Sequence, residues 1–109
     1  MEFVRSYLKE NSFRHVDVAE ICHLLHTSRS HFHAEFLRCN GCTMLQYLNR
    51  LRCQHAIRLL RESDLPLEKI TEYCGFGSLC SLYRILRQET GNPPASYRDS
   101  EKTIHPLKL

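Results

Sequence analysis

Apolar side chains recur three or four positions apart along most of this chain, and no stretch alternates apolar with polar. Such spacing gathers them on one face of an α-helix, whereas alternation would line one face of a strand. Phe3, Val4, Tyr7 and Leu8 predict a short helix within 1–10, ended by Asn11 and Ser12. Asp17 stands three residues before Glu20, the spacing of a capping box, and opens a helix over about 17–25. Val18, Ile21, Cys22 and Leu25 form its apolar face. His26 and Thr27 make a tight bend, Ser28 suits the N-cap of the next helix, and Phe32 and Phe36 face inward. Asn40-Gly41 stops that helix, because glycine accepts the left-handed backbone found beyond a helix C-terminus.

Thr43 and Gln46 repeat the capping-box spacing ahead of a long helix over about 44–62. Leu45, Leu48, Leu51, Cys53, Ala56, Leu59 and Leu60 line it, with Arg50, Arg52, Arg58 and Arg61 among them. Pro66 suits the first turn of a further helix, which carries Leu67, Ile70, Thr71 and Cys74 up to Gly75. After a Gly75-Phe76-Gly77 bend, Leu79, Leu82 and Leu86 give an inward stripe with Ile85 beside it, and Gly91 ends the element. Asn92-Pro93-Pro94 reads as a turn and Pro94 to Arg98 as a last short helix. Residues 99–109 lack periodicity and are expected to form a flexible tail. The expected fold is all-α, with about seven helices.

Two regions of this pattern match each other. Ser28, Phe32, Phe36 and Gly41 recur 50 residues later as Ser78, Leu82, Leu86 and Gly91. Before the bends, Val18, Ile21 and Leu25 recur 49 residues later as Leu67, Ile70 and Cys74, the second bend holding one extra residue. Bend, polar cap, two apolar anchors and terminal glycine repeat in the same order. The reading is two helix-turn-helix units, over about 17–39 and 67–89, joined by the 44–62 linker helix.

A duplex major groove, about 12 Å wide, admits one α-helix. The second helix of each unit must then anchor on one side and expose the other. Phe32 and Phe36 anchor the first copy, leaving Arg29, Ser30, His31, His33, Ala34 and Arg38 outward. Leu82 and Leu86 anchor the second, leaving Leu79, Cys80, Tyr83, Arg84 and Arg87. Amides near Ser28 and Ser78 can grip phosphate, since helix N-termini favour anions. The candidate DNA-binding set is therefore Arg29, Ser30, His31, His33, Arg38, Leu79, Cys80, Tyr83, Arg84 and Arg87. Arg52 is read as structural, contacting the second unit, and Tyr97 as a packing residue that docks the last helix.

The remaining chemistry changes little. The net charge of +3 is a weak hint of a polyanionic partner. Arginine dominates over lysine and offers a planar fork for phosphate or guanine. No apolar run approaches the roughly 20 residues that span a bilayer, and MEFVRSYLKE has no secretion-signal pattern. Reduced thiols and a cytoplasmic location are expected. Cys39 and Cys42 form a C-x-x-C, but no second pair supplies the about four ligands of a zinc site. His31 and His33, two apart, point to different sides of a helix. No nucleophile has an evident base, so no enzyme activity, metal or cofactor is expected. The alternatives are a thiol- or zinc-responsive sensor module and a helical protein-interaction module.

The stretch ITEYCGFGSLCSLYRILRQETGNPPASYR resembles the C-terminal signature of the AraC/XylS family of bacterial transcription regulators. Upstream, SRSHFHAEFLRCNGCTMLQYLNRLRCQHAIRLL is similar to that family's first recognition helix and linker helix, matching at Ser28, Phe32, Phe36, Gly41, Tyr47, Arg52, Ala56 and Leu60. The resemblance covers about 1–98. It implies two recognition helices in consecutive major-groove segments of promoter DNA. It also implies regulation of transcription, usually activation through contact with RNA polymerase. Many members carry a separate effector-binding or dimerisation domain, which these residues do not include. Ala34 stands where the family is often basic, Leu79 where it is often polar, and Leu82 and Leu86 where aromatic anchors are usual.

Overall fold

The computed structural model describes residues 1–98, so the expected tail at 99–109 lies outside the described residues. Six helices follow in order: α1 (Glu2–Asn11), α2 (Val18–Leu25), α3 (Arg29–Asn40), α4 (Met44–Glu62), α5 (Leu67–Cys74) and α6 (Leu79–Thr90). A short helical stretch at 94–98 makes a seventh, and no strand occurs among the described residues. The all-α reading holds, and each expected helix is present.

The molecule is elongated, 52 Å by 24 Å by 22 Å, because it has two cores. Val4, Leu8, Ile21, Phe32 and Phe36 centre the first, and Ile70, Cys74, Leu82 and Leu86 the second. The 19-residue α4 belongs to both. Its Met44 and Leu48 complete the first core, and its Cys53, Ala56 and Leu60 the second. The strut between the units is thus also a wall of each.

The repeat seen in the sequence is a repeat of backbone chemistry. The Ser28 hydroxyl accepts the His31 N–H at 3.1 Å, and the Ser78 hydroxyl accepts the Ser81 N–H at 3.1 Å. Gly41 and Gly91 close α3 and α6 in the left-handed region, at φ 73° and 80°. The bends match as well. His26 and Gly75 are both left-handed, at φ 55° and 88°. The next N–H turns back into the helix in each case, Thr27 to the Cys22 carbonyl at 3.0 Å and Phe76 to the Thr71 carbonyl at 3.1 Å. The Thr43–Gln46 capping box forms with both bonds, at 3.1 Å and 2.9 Å.

Several expectations are corrected. The Asp17 carboxylate caps α2 by accepting the Ala19 N–H at 2.9 Å, one turn position earlier than a box with Glu20 requires. Pro66 is the N-cap of α5 and precedes its first turn. Leu25 and Leu45 are 40% and 60% exposed, outside the stripes assigned to them. Leu25 is the last residue of α2, where the chain already leaves the core, and at the start of α4 the core place goes to Met44.

Arg52 is structural as expected and lines a hollow with Glu72, Gly75 and Phe76 of the second unit, but its hydrogen-bond partners lie in the α1–α2 connection. Its Nε donates to the Ser12 carbonyl at 2.8 Å and its Nη2 to the Arg14 carbonyl at 2.9 Å. Partial burial lowers this guanidinium below its ordinary value, the cost of holding a cation against the α1–α2 connection. The second unit reaches the same connection through Gly75. A β-carbon there would meet the Ser12 carbonyl oxygen and the Phe13 backbone. Connection 12–14 is therefore the seam where linker and both units meet. At the far end, Arg98 donates to the Leu60, Ser63 and Leu65 carbonyls at 3.4, 3.3 and 2.8 Å. Tyr97 packs on the second core beneath the Arg61 guanidinium, 5.3 Å from its ring centre.

Candidate nucleic-acid interface

α3 and α6 are each 12 residues long and begin at a serine cap. A helix turns about 100° per residue. Opposite the buried Phe32 and Phe36, that geometry puts Ser30, Ala34 and Arg38 along one outward stripe with Leu37 at its edge, all exposed. Opposite Leu82 and Leu86 it puts Cys80, Arg84 and Arg87, also exposed. Both helices therefore bury one face completely and offer the other to solvent.

The candidate residues are not all in equivalent places. Arg29 and Ser30 lie exposed in the first turn of α3. His31 lines a hollow with Glu35, Arg38 and Cys39 on one flank. His33 lines another on the opposite flank, with His15, Thr43 and Arg52. The two histidines are thus separated, as their spacing requires. Arg38 is tied to Glu35, its Nη2 at 2.6 Å from the carboxylate. The Arg38 hydrogen bond holds Glu35 below the usual carboxylate range, and in return Arg38 rises above its ordinary value.

On α6, Cys80, Tyr83, Arg84 and Arg87 are brought together around one hollow closed by Pro93. Neither arginine has a carboxylate partner among the described residues. Leu79 is half-buried and packs against the second core, so its side chain is largely committed to the fold. Leu37, 49% exposed, was not among the sequence candidates. Its signal was the 50-residue offset, which pairs it with Arg87.

The C-x-x-C residues have different surroundings. Cys39 is exposed beside Arg38, whose Nη2 lies 3.6 Å from its sulfur, whereas Cys42 is buried. Among the described residues, no three His, Cys, Asp or Glu side chains are grouped to hold a metal ion. No helix among them is long and apolar enough to cross a membrane.

The chain matches a helix-turn-helix domain family over residues 21–100. It is 30% identical over 98 residues to a probable transcriptional regulator, LumQ, of Photobacterium leiognathi, covering 90% of this chain and 40% of that protein. It is 36% identical over 81 residues to a putative AraC-like transcription regulator of Streptomyces lividans, covering 74% of this chain and 27% of that protein. The chain thus spans well under half the length of these relatives. Among solved structures, it superposes with a TM-score of 0.88 on the DNA-binding domain of the global transcriptional factor AdpA in complex with a target DNA. That likeness has 30% identity and covers 96% of this chain and 95% of the other. Two capped helix-turn-helix units on one linker helix, together with these matches, show that the chain belongs to the AraC family of transcription regulators and comprises its DNA-binding helix-turn-helix domain.

Proposed function

We propose that this domain binds promoter DNA by placing α3 and α6 in consecutive major-groove segments on one face of the duplex. The observation that carries the reading is the recurrence, 50 residues apart, of a serine-capped helix with one buried and one exposed face. Helices entering successive grooves must lie about 34 Å apart, and a molecule 52 Å long can span that separation. The serine-capped N-termini of α3 and α6 present amides to the phosphate backbone. Arg84, exposed and without an ion-pair partner among the described residues, is assigned to a base edge, and Arg87 to phosphate. Arg29, Ser30, His31 and His33 supply contacts from α3. Arg38 contributes through backbone proximity only after exchanging Glu35 for phosphate. Leu79 is assigned to packing, with at most its outer edge at the groove.

By family resemblance, the regulator of which this is the DNA-binding part activates transcription in the cytoplasm through contact with RNA polymerase. Its signal arrives from an effector or dimerisation domain on another segment. The domain itself is assigned no catalytic role.

Selection of bound duplexes from a random pool tests the binding mode. The expected product is an asymmetric site of two boxes about one helical turn apart. Affinity should fall steeply with salt, because cationic side chains displace counterions from phosphate. A pool that shows no enrichment, or a single box, would end the two-helix reading.

A further inference from the structure

α3 and α6 hold equivalent places in the repeat but carry unlike chemistry on their outward stripes. Position by position, Ser30 pairs with Cys80, Ala34 with Arg84, and Leu37 with Arg87. The α3 stripe carries one charge, Arg38, and it is already held by Glu35 at 2.6 Å. Leu37 stands 49% exposed at the edge of the same stripe, and so is free to meet an apolar group on a bound duplex.

Size matters as much as polarity. Ser30 and Ala34 are short and would let the α3 backbone approach base edges closely, bringing Leu37 toward them, whereas the long Arg84 and Arg87 would reach across a wider gap from α6. In the major groove, the apolar group on offer is the thymine C5-methyl, whereas guanine offers the paired acceptors O6 and N7 that suit an arginine fork.

Resting on the reading that both helices enter the major groove, we propose that the two recognition helices read different base chemistries. α3 reads thymine methyl groups through Ala34 and Leu37. α6 reads guanine through Arg84. The preferred duplex therefore has a thymine-bearing box and a guanine-bearing box, and the protein binds it in one orientation only.

The test uses the whole chain and a duplex selected from a random pool. Each thymine in the box is replaced in turn by deoxyuridine, which removes only the methyl group. Affinity should fall about fourfold for each contacted methyl. Leu37→Ala should abolish the thymine-over-deoxyuridine preference at one position while the guanine preference of the other box persists. Arg84→Ala should do the reverse, losing guanine preference and keeping the methyl effect. Leu37 is exposed, and an unchanged helical circular dichroism spectrum shows that its variant folds. If a two-box site emerges but tolerates every deoxyuridine, or if Leu37→Ala changes preference only at a G·C pair, the thymine assignment is overturned while groove binding stands. If no site emerges, groove binding itself fails and this proposal with it.

Discussion

At the scale of single residues, the two bends make a controlled comparison, because the same left-handed position is histidine in one and glycine in the other. A left-handed non-glycine residue costs about 1–2 kcal/mol, part of which glycine would return as unfolded-chain entropy. His26→Gly should therefore stabilise the fold by up to about 1 kcal/mol in a urea melt. Gly75→Ala should destabilise by about 2–4 kcal/mol, because the new methyl would also collide with the Ser12–Phe13 backbone. The cysteines give a second prediction. Cys22, Cys42, Cys53 and Cys74 are buried, and Cys39 and Cys80 are exposed. A thiol reagent should label two groups rapidly in the folded chain and all six cysteines after unfolding. Bound duplex should protect Cys80, which lies beside Arg84. Burial pushes Cys53 up to about 12, with Glu89 and Cys74 adding to it, and burial pushes Cys74 up to about 11. In the unfolded chain these thiols ionise near their ordinary value of 9.0. The folded state therefore keeps its protons longer, and the stability from the neutral thiols is complete below pH 9 and lost as pH rises toward 11–12. Denaturation midpoints should fall across that window and fall less in Cys53→Ala.

At the scale of elements, helix ends were legible in the sequence because they are local. A serine three residues before a free N–H, or a glycine at a left-handed terminus, needs no knowledge of the rest of the fold. Ser28, Ser78, Gly41 and Gly91 could be assigned on that basis, and so could the anchors Phe32, Phe36, Leu82 and Leu86. Leu25 and Leu45 satisfied the same apolar spacing but are exposed, because spacing names a face and not the length over which a neighbour covers it. The partners of Arg52 were illegible for a related reason: they are backbone carbonyls 40 and 38 residues away in an irregular connection. On the candidate interface, exposure of Arg84 followed from its spacing, and the Glu35 tie on Arg38, three residues apart on one helix, was open to the same reasoning, whereas the half-burial of Leu79 required the fold. The caps lead to a prediction with two readouts. Ser28→Ala and Ser78→Ala should each cost about 1 kcal/mol of stability. Arg84→Ala should leave stability within about 0.5 kcal/mol, yet cost about 1–3 kcal/mol in binding to a selected duplex. Calorimetry for stability and fluorescence anisotropy for binding separate the two. Equal binding losses for Ser78→Ala and Arg84→Ala would assign α6 a structural role only.

At the scale of the whole molecule, the question is what keeps two separate cores in one relative orientation. α4 alone is insufficient, since a helix can bend and each unit packs on a different half of it. The further constraint is the seam at 12–14, where Arg52 fastens the connection to α4 while Gly75 lets the second bend lie flush against it. Arg50 and Glu89 add a more exposed tie from α4 to α6, at 3.4 Å. A duplex turns about 34° per base pair for about 10.5 pairs per turn, so a rigid pair of units accepts one spacing between boxes and rejects its neighbours. Arg52→Met keeps an unbranched chain of similar length but removes both hydrogen bonds. The Arg14 contact is exposed, whereas the Ser12 contact is part-buried, so the variant should fold at a cost of about 1–3 kcal/mol for the Ser12 carbonyl left without its donor. Its units should, however, lose their fixed phase. The parent should bind a site lengthened by one base pair at least tenfold more weakly than the selected site, a loss of about 1.4 kcal/mol. Arg52→Met should bind the selected site less tightly than the parent while discriminating less between the two lengths. Titration of both proteins against both duplexes at one salt concentration decides it. A variant that kept the parent's full discrimination would move the orientation constraint from the seam to α4.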